Sequence, residues 1–286
     1  MNLNTGQTWS MERVFTQRQF DRFAILSGDD NPIHVDPEFS ARTKFGQTVA
    51  HGMFLYANLV RALGEIAPGA IQREQELMFP APTYTGEIVR LDLAVTEVSD
   101  QMARLSTDVV KFDGTIGCQG STLLVAGGLD GLPATAPPGP PPGSEGWKGF
   151  AVGQSAALTR AYSRADMDEY IDLLREANPL YSDPAFGRAI GLRGAPLPGP
   201  LLGAMFSCLL GTELPGRGTN WLKQRFLFLR AAYPSDELVA RVRITRIRPE
   251  KELVNLRTWI TGPDGGLICD GEALVWVNDV ELGSTN

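Results

Sequence analysis

The only two histidines of the chain, His34 and His51, lie in one short region that also carries acidic side chains. Histidine is the side chain whose ordinary pKa makes it a proton carrier near neutrality. Asp29 precedes His34, and the pair Asn31-Pro32 lies between them. The residue before a proline avoids the helical region, so this pair predicts a turn that brings Asp29 and His34 to one side. A carboxylate and an imidazole that converge in this way can hold and activate a water molecule.

The second histidine stands directly before a glycine at the start of an apolar stretch. The segment from His51 to Gly64 has the composition of a buried helix. A helix that begins at Gly52 presents free backbone N–H groups, which suit a developing oxyanion. From these residues alone a plainer interpretation stays open. In it, Asp29 to Pro32 form a solvated turn with local hydrogen bonds, and His34 is a partly buried histidine without a chemical role.

The chain repeats itself. When it is shifted by 178 − 31 = 147 positions, Asn31-Pro32 falls on Asn178-Pro179 and Gly52 falls on Gly199. A segment rich in proline and glycine, residues 133–143, separates the copies and predicts an extended connector. We therefore predict a first domain at 1–128, a linker at 129–148 and a second domain at 149–286. Such a duplication imitates the two-fold dimer of a single-copy protein.

The second copy serves as an internal control for the candidate residues. Glu176 stands where the first copy has Asp29, Tyr181 replaces His34, and Pro198 replaces His51. The Asn-Pro pair persists, so we interpret Asn31 and Pro32 as residues that shape the turn. Asp29 and His34 are the functional additions, because an unperturbed tyrosine keeps its proton near pH 7.

Each copy predicts the same order of elements. A polar strand, Thr8–Phe15 or Ser155–Tyr162, precedes a helix that Thr16 or Ser163 caps. The long apolar helix is predicted at residues 51–64 and again at 199–211. Only alternating strand patterns and turns such as Asp113-Gly114 follow it. This order indicates an α+β fold in which an antiparallel sheet wraps a central helix.

Composition narrows the classes of partner. The 286 residues carry a net charge of −7 and are 43% hydrophobic, so a full core is expected and a broad cationic face for nucleic acid is not. No apolar run is long enough to span a membrane, and residues 1–10 lack the apolar core of a signal peptide. We expect a cytoplasmic protein. Three scattered cysteines and two histidines offer no convincing zinc ligand set, so no metal is expected.

The first half resembles a known family. Ser27-Gly-Asp-x-Asn-Pro-Ile-His34-x-Asp-Pro, followed by Val49-Ala-His-Gly52-Met, is similar to the signature of the MaoC-like hydratases, the (R)-specific enoyl-CoA hydratases of the hotdog fold. The resemblance implies two tandem hotdog domains, with the second degenerate. It also implies that Asp29 and His34 hold the catalytic water, that the Gly52 amide receives the thioester oxygen, and that Asn31, Pro32 and His51 shape the site.

The function that follows from the resemblance is reversible hydration of a 2-enoyl thioester to the (R)-3-hydroxyacyl thioester. Two alternatives stay open: a hotdog thioesterase, and a non-catalytic acyl-binding partner subunit. We expect no cofactor, since CoA or an acyl carrier protein would be part of the substrate. The acyl thioester is the expected partner, and a homodimer of double-hotdog chains stays open. The second half is expected to widen the acyl tunnel at the start of its apolar helix, Pro198-Gly199-Pro200.

Overall fold

The two halves follow the same order of elements in the computed structural model, which describes residues 2–129 and 146–278. The first half contains β1 Thr8–Val14, α1 Gln17–Ser27, α2 Pro32–Val35, α3 Pro37–Ala41, α4 Gly52–Ile66, β2 Ile71–Met78, β3 Ile88–Val98, β4 Met102–Lys111 and β5 Ile116–Val125. The second half contains β6 Ser155–Arg160, α5 Arg164–Leu174, α6 Pro179–Ser182, α7 Pro184–Ala189, α8 Gly199–Cys208, β7 Thr219–Phe228, β8 Leu238–Arg248, β9 Leu253–Thr261 and β10 Leu267–Val277. The predicted repeat and the α+β class are confirmed.

All ten strands form one antiparallel sheet in the order β1-β3-β4-β5-β2-β7-β10-β9-β8-β6. Each half contributes five neighbouring strands in the same internal order, read outward from the middle. The halves join where β2 pairs with β7, from Glu74 opposite Leu227 to Met78 opposite Lys223. We call this junction the seam. The sheet therefore has an approximate two-fold symmetry about the seam, as a duplicated chain predicts.

The central helices α4 and α8 lie side by side against one face of the sheet. Along α4 nearly every side chain is buried, and Phe54 packs edge-on against Phe15, Phe20 and Phe23 at centroid distances of 5.1, 5.7 and 5.5 Å. Aromatic side chains bury the largest apolar areas in a core, so this cluster anchors α1 on α4. None of the helices in the described ranges is long and apolar enough to cross a bilayer.

Local sequence signals place the shorter helices. Thr16 and Ser163 are the N-caps of α1 and α5, as predicted, and the structure shows that each forms a complete capping box. The second apolar helix is shorter than predicted, because regular α-helix ends at Cys208 and a π-helical turn continues from Leu209 to Glu213. The Pro-rich segment at 133–143 lies outside the described residues. At the near end of the predicted linker, Leu129 is buried in the core.

Candidate active site

A tight turn after α1 carries the two candidate side chains. Helix α1 ends at Gly28 in the left-handed region, with φ of 76°. Asn31 then caps α2 by accepting a hydrogen bond from the Ile33 amide at 3.3 Å, and Pro32 occupies the first helical position. Asn178 and Pro179 make the same turn in the second half, where Asn178 accepts from the Leu180 amide at 3.1 Å. The Asn-Pro pair therefore shapes the turn in both halves.

Asp29 and His34 lie next to each other, and both are buried, with 2% and 8% of their surface exposed. The Nδ1 atom of His34 lies 2.8 Å from the Val49 carbonyl oxygen. A carbonyl only accepts, so Nδ1 carries the proton and Nε2 keeps its lone pair. Burial lowers the pKa of His34, and the nearby Asp29 opposes that shift only in part. His34 is consequently a neutral base near pH 7.

His51 orients both members of the pair. Its Nε2 donates to the backbone oxygen of Asp29 at 2.9 Å, and its ring stacks on His34 with centroids 3.8 Å apart and planes inclined by 27°. Burial and the neighbouring His34 lower the pKa of His51 to about 3. A neutral His51 packs against His34 without charge repulsion, which makes it a positioning residue.

Asp29 is ionised near pH 7 in spite of its burial. Burial alone would raise its pKa, but the positive charge that His34 and His51 acquire at acidic pH and the hydroxyl of Ser207 outweigh burial, so the pKa lies below the ordinary value. Ser207 Oγ donates to Asp29 Oδ2 at 2.5 Å, and the Asn31 amide lies 3.4 Å from Oδ1. Both oxygens of the carboxylate therefore face donors in a buried setting.

Ser207 belongs to α8 of the second half, and the sequence analysis missed it. Under the shift of 207 − 60 = 147 positions its counterpart in the first half is Val60. A hydroxyl that appears in one copy only is a usable signal, but Ser207 lies 178 positions from Asp29 in the sequence. The two halves show the same packing around these acids. A Cβ built at Gly211 would lie 3.2 Å from Asp29, and a Cβ built at Gly64 would lie 3.0 Å from Glu176. Each acid thus packs against the central helix of the other half.

Gly52 is the first residue of α4, where backbone N–H groups have no intrahelical acceptor. It lines the same cavity as Asp29 and His34. A Cβ built at this position would lie 2.8 Å from the ring of Phe79, so only glycine fits without displacing that ring. The N-terminus of α4 therefore lies at the cavity wall, and the role of the Gly52 amide as an oxyanion donor stays a prediction.

One cavity of about 460 Å³ contains this group of residues. Its walls are largely apolar and aromatic, and they come from both halves: Phe45, Leu55, Phe79 and Tyr84 from the first, and Leu210, Trp221 and Trp276 from the second. Lys44 lies at the wall as well, with its Nζ 3.9 Å from the centroid of Trp276. A volume of this size accommodates a small organic ligand.

The second half lines this cavity with the end of α8, not with its beginning. Ser207, Leu210 and Gly211 border the cavity, whereas Gly199 borders a separate pocket of about 40 Å³. The expectation that Pro198-Gly199-Pro200 widens the tunnel is therefore wrong. The reason is the two-fold arrangement of the halves. It brings the C-terminal end of α8, and not its N-terminal end, to Asp29 and the start of α4.

The counterpart position in the second half is filled. Glu176 is 6% exposed, and its Oε1 accepts from the Asn178 amide at 2.9 Å. Burial raises the pKa of Glu176 to about 7 and also raises the pKa of the buried Tyr181. Among the described residues the space beside Gly64 and Tyr181 amounts to only about 10 Å³. A thioester has no room there.

The ligand atoms of Asp29, His34 and His51 lie within 4.8 Å of one another, which raises the question of a metal ion. The ring geometry fits one poorly. Imidazole lone pairs lie in the ring plane, and these two rings are stacked 3.8 Å apart. An ion between them would lie out of at least one plane. One nitrogen of each ring is also already bound to a backbone carbonyl oxygen.

Comparisons with known proteins follow the same division into halves. The sequence model of a family described as MaoC like domain matches residues 3–113. The chain is 36% identical over 124 residues to an (R)-specific enoyl-CoA hydratase of Aeromonas caviae, covering 43% of this chain and 92% of that protein. It is 34% identical over 105 residues to a 3-hydroxybutyryl-CoA dehydratase of Methylorubrum extorquens, covering 36% of this chain and 67% of that protein.

Solved structures extend the similarity to both halves. A protein of Mycobacterium tuberculosis described as having a double hotdog fold is similar with a TM-score of 0.76 at 12% identity, covering 96% of this chain and 97% of that one. A structure described as a MaoC-like dehydratase gives a TM-score of 0.77 at 15% identity, with 96% and 98% covered. At these identities the comparison establishes the fold, and the double-hotdog prediction is confirmed.

The buried Glu176 predicts how stability depends on pH. Its folded pKa of about 7 lies above the ordinary value of 4.5, so the folded state holds its proton more tightly than the unfolded state. The stability tied to this proton is present below pH 4.5 and is lost as the pH rises through 7. Tm should fall between pH 5 and pH 8 in the native chain and fall less in Glu176→Gln, measured by calorimetry. Equal declines would contradict a buried, protonated Glu176.

The hydroxyl of Ser207 predicts a pH-dependent effect on activity. Without this donor the carboxylate form of Asp29 is less favoured, so its pKa rises and the ionised form is lost at a higher pH. Ser207→Ala should lower kcat/KM about tenfold at neutral pH and by more at acidic pH. Thr212→Ala is the matched control, because that hydroxyl donates to the Cys208 carbonyl at 2.7 Å and not to Asp29. If kcat/KM fell at the same acidic pH in both variants, Ser207 would have no role in keeping Asp29 ionised.

Proposed function

The chain belongs to the family of MaoC-like dehydratases, and from this premise we propose that it is a hydro-lyase that adds water reversibly to a 2-enoyl thioester. The product is the (R)-3-hydroxyacyl thioester, and the reverse reaction removes water. The observation that carries the proposal is the pairing of an ionised Asp29 with the free Nε2 of a neutral His34, both buried at one cavity. Two bases beside one apolar space suit the activation of a single water molecule.

The Gly52 amide is the proposed electrophilic element. A thioester oxygen that accepts from this N–H gains negative character in the transition state, because the first turn of α4 carries the positive end of the helix dipole. Withdrawal of electrons toward that oxygen makes the β-carbon electrophilic. Water can then add to the β-carbon, and a proton can add to the α-carbon. The ring of Phe79 packs against Gly52 at the same point.

The protonation states restrict the path of the proton. His34 keeps its only proton on Nδ1, directed at Val49, and Asp29 is ionised, so neither side chain offers a proton to the cavity at rest. The proton that reaches the α-carbon must therefore come from the added water. One of the two bases takes that proton as the oxygen bonds to the β-carbon, and the same base delivers it to the α-carbon. Dehydration follows the same steps in reverse.

The second half supports the proposal as a structural partner of this site. It supplies Ser207 to the carboxylate and Leu210, Trp221 and Trp276 to the cavity wall. Its own counterpart position has no substrate-sized space in the described residues. We propose one acyl group per chain, bound between the halves, with CoA or an acyl carrier protein as the carrier and with no metal or other cofactor.

Two other functions need the same residues in different roles. A thioesterase would direct water at the carbonyl carbon and release a free thiol. A non-catalytic acyl-binding subunit would have no need of an ionised carboxylate in a buried setting, which costs desolvation energy unless it is used. The buried Asp29–His34 pair favours an enzyme, and the family favours hydration over hydrolysis.

The proposal predicts the largest losses from substitutions of Asp29 and His34. His34→Ala and Asp29→Asn should each lower the rate of crotonyl-CoA hydration by about 10²-fold or more, the range for lost acid–base groups. The rate is measured from the loss of enoyl absorbance, with a thiol reagent present to detect hydrolysis. Circular dichroism checks that both variants are folded.

The repeat provides the matched controls. Tyr181→Phe and Glu176→Gln change the counterpart positions in the second half and should leave kcat within a few-fold of the native value. Activity near that of the native chain in His34→Ala would contradict the assignment of the base. Release of thiol at the rate of enoyl loss would replace hydration with hydrolysis.

A further inference from the structure

The face of the sheet that points away from the helices carries charge of opposite sign on its two halves. Alternate residues of each strand point to this outer face, and paired residues share a face. On the first half the outward charges are mostly acidic: Glu12, Glu74, Glu76, Asp92, Glu97 and Asp108, with Arg90 and Arg104. On the second half they are mostly basic: Lys223, Arg225, Arg241, Arg243, Arg246 and Arg257, with Asp270 and Glu272. We call these two areas the acidic patch and the basic patch.

Each patch contains like charges directly opposite each other. Asp92 pairs in register with Asp108 across β3 and β4, and Arg243 pairs with Arg257 across β8 and β9. Like charges in such positions destabilise a sheet. Arg90 and Arg257 form ion pairs with acids of their own half, Asp92 and Asp270. Asp108 forms no ion pair within residues 2–129 and 146–278, and burial together with Asp92 raises its pKa.

The two patches meet at the seam, where Glu76 lies directly opposite Arg225, and a few apolar side chains stand among these charges. Met78, Leu123, Leu227 and Leu274 face outward along the seam and are half-buried. A groove of about 600 Å³ crosses the seam from Asp108 to Asn255, with Met78 and Leu274 among its lining residues. Charges of opposite sign therefore lie side by side at the centre of the outer face, and the sign of the charge changes at the seam.

We propose that this outer face binds the outer face of a second copy of the chain. A two-fold axis that runs along the strands at the seam lays the first half of each copy over the second half of the other. The acidic patch of each copy then meets the basic patch of the other, and at the centre Glu76 of one copy lies over Arg225 of the other. Such an isologous contact closes as a dimer. Stacked sheets pack about 10 Å apart, close enough for these side chains to pair.

Charge complementarity favours a second copy over an acidic protein such as a carrier. A carrier of one sign would complement the basic patch and would be repelled by the acidic patch beside it. Only a partner that carries both signs in the opposite order matches the whole face, and this chain is such a partner. The inference stands apart from the proposed hydratase function, because it uses no residue of the cavity chemistry.

Sedimentation velocity of the full chain tests the proposal. The native protein should be a dimer at about 50 mM salt and should dissociate more readily at about 500 mM salt, where charges are screened. Asp108→Lys places a positive charge opposite the basic patch, and Arg246→Glu places a negative charge opposite the acidic patch. Each substitution occurs twice per dimer and should weaken dimerisation at least about tenfold.

Mixing the two variants gives the decisive result. In the mixed dimer the new lysine in the acidic patch of one chain faces the basic patch that carries the new glutamate in the other. The second contact between an acidic and a basic patch is unchanged, so an equimolar mixture should form a heterodimer. Asp168→Lys and Arg18→Glu make the same charge changes on the helical side and should not affect assembly. A native chain that is monomeric at low salt would overturn the proposal. So would a dimer that neither variant weakens, or a monomer that binds an acidic carrier protein only through Arg246.

Discussion

A buried, ionised carboxylate is the constraint on which the rest of this site depends. Asp29 is almost fully buried, and an uncompensated charge in that position would cost several kcal/mol. Ser207 and the Asn31 amide stabilise the charge, and His51 holds the backbone oxygen of the same residue. The turn, the stacked histidines and the contact between the halves are thus parts of one solution to a single electrostatic problem.

Duplication explains why this solution appears only once. In a two-fold dimer of single copies both acids would have equal surroundings, whereas a fused chain can change each copy alone. Here the hydroxyl that faces Asp29 has Val60 as its counterpart, and the carboxyl that faces Gly64 is Glu176, whose pKa burial raises to about 7. One half has kept an ionised acid and a histidine. Among the described residues the other half has no substrate-sized space at its counterpart position. It contributes residues of the cavity wall and the Ser207 hydroxyl to the site of the first half.

The sequence could predict the features that depend on neighbouring residues or on the repeat. The Asn-Pro turn, the N-caps Thr16 and Ser163 and the glycine that begins α4 could all be predicted in this way, since their physical causes are local. The Ser207 contact was missed because it joins residues 178 positions apart across the two halves. The wrong expectation for Pro198-Gly199-Pro200 has the same origin. It assumed that equivalent helix ends face the same cavity, whereas the two-fold arrangement presents opposite ends.

The most direct test of the account is the structure of the chain with an unreactive saturated acyl-CoA bound, together with the binding stoichiometry from calorimetry. The account predicts one acyl group per chain. Its thioester oxygen should lie within hydrogen-bond distance of the Gly52 amide, and its β-carbon should lie beside His34 Nε2 and the Asp29 carboxylate. Two acyl groups per chain, or one beside Glu176 and Tyr181, would contradict the claim that the first half alone carries the chemistry.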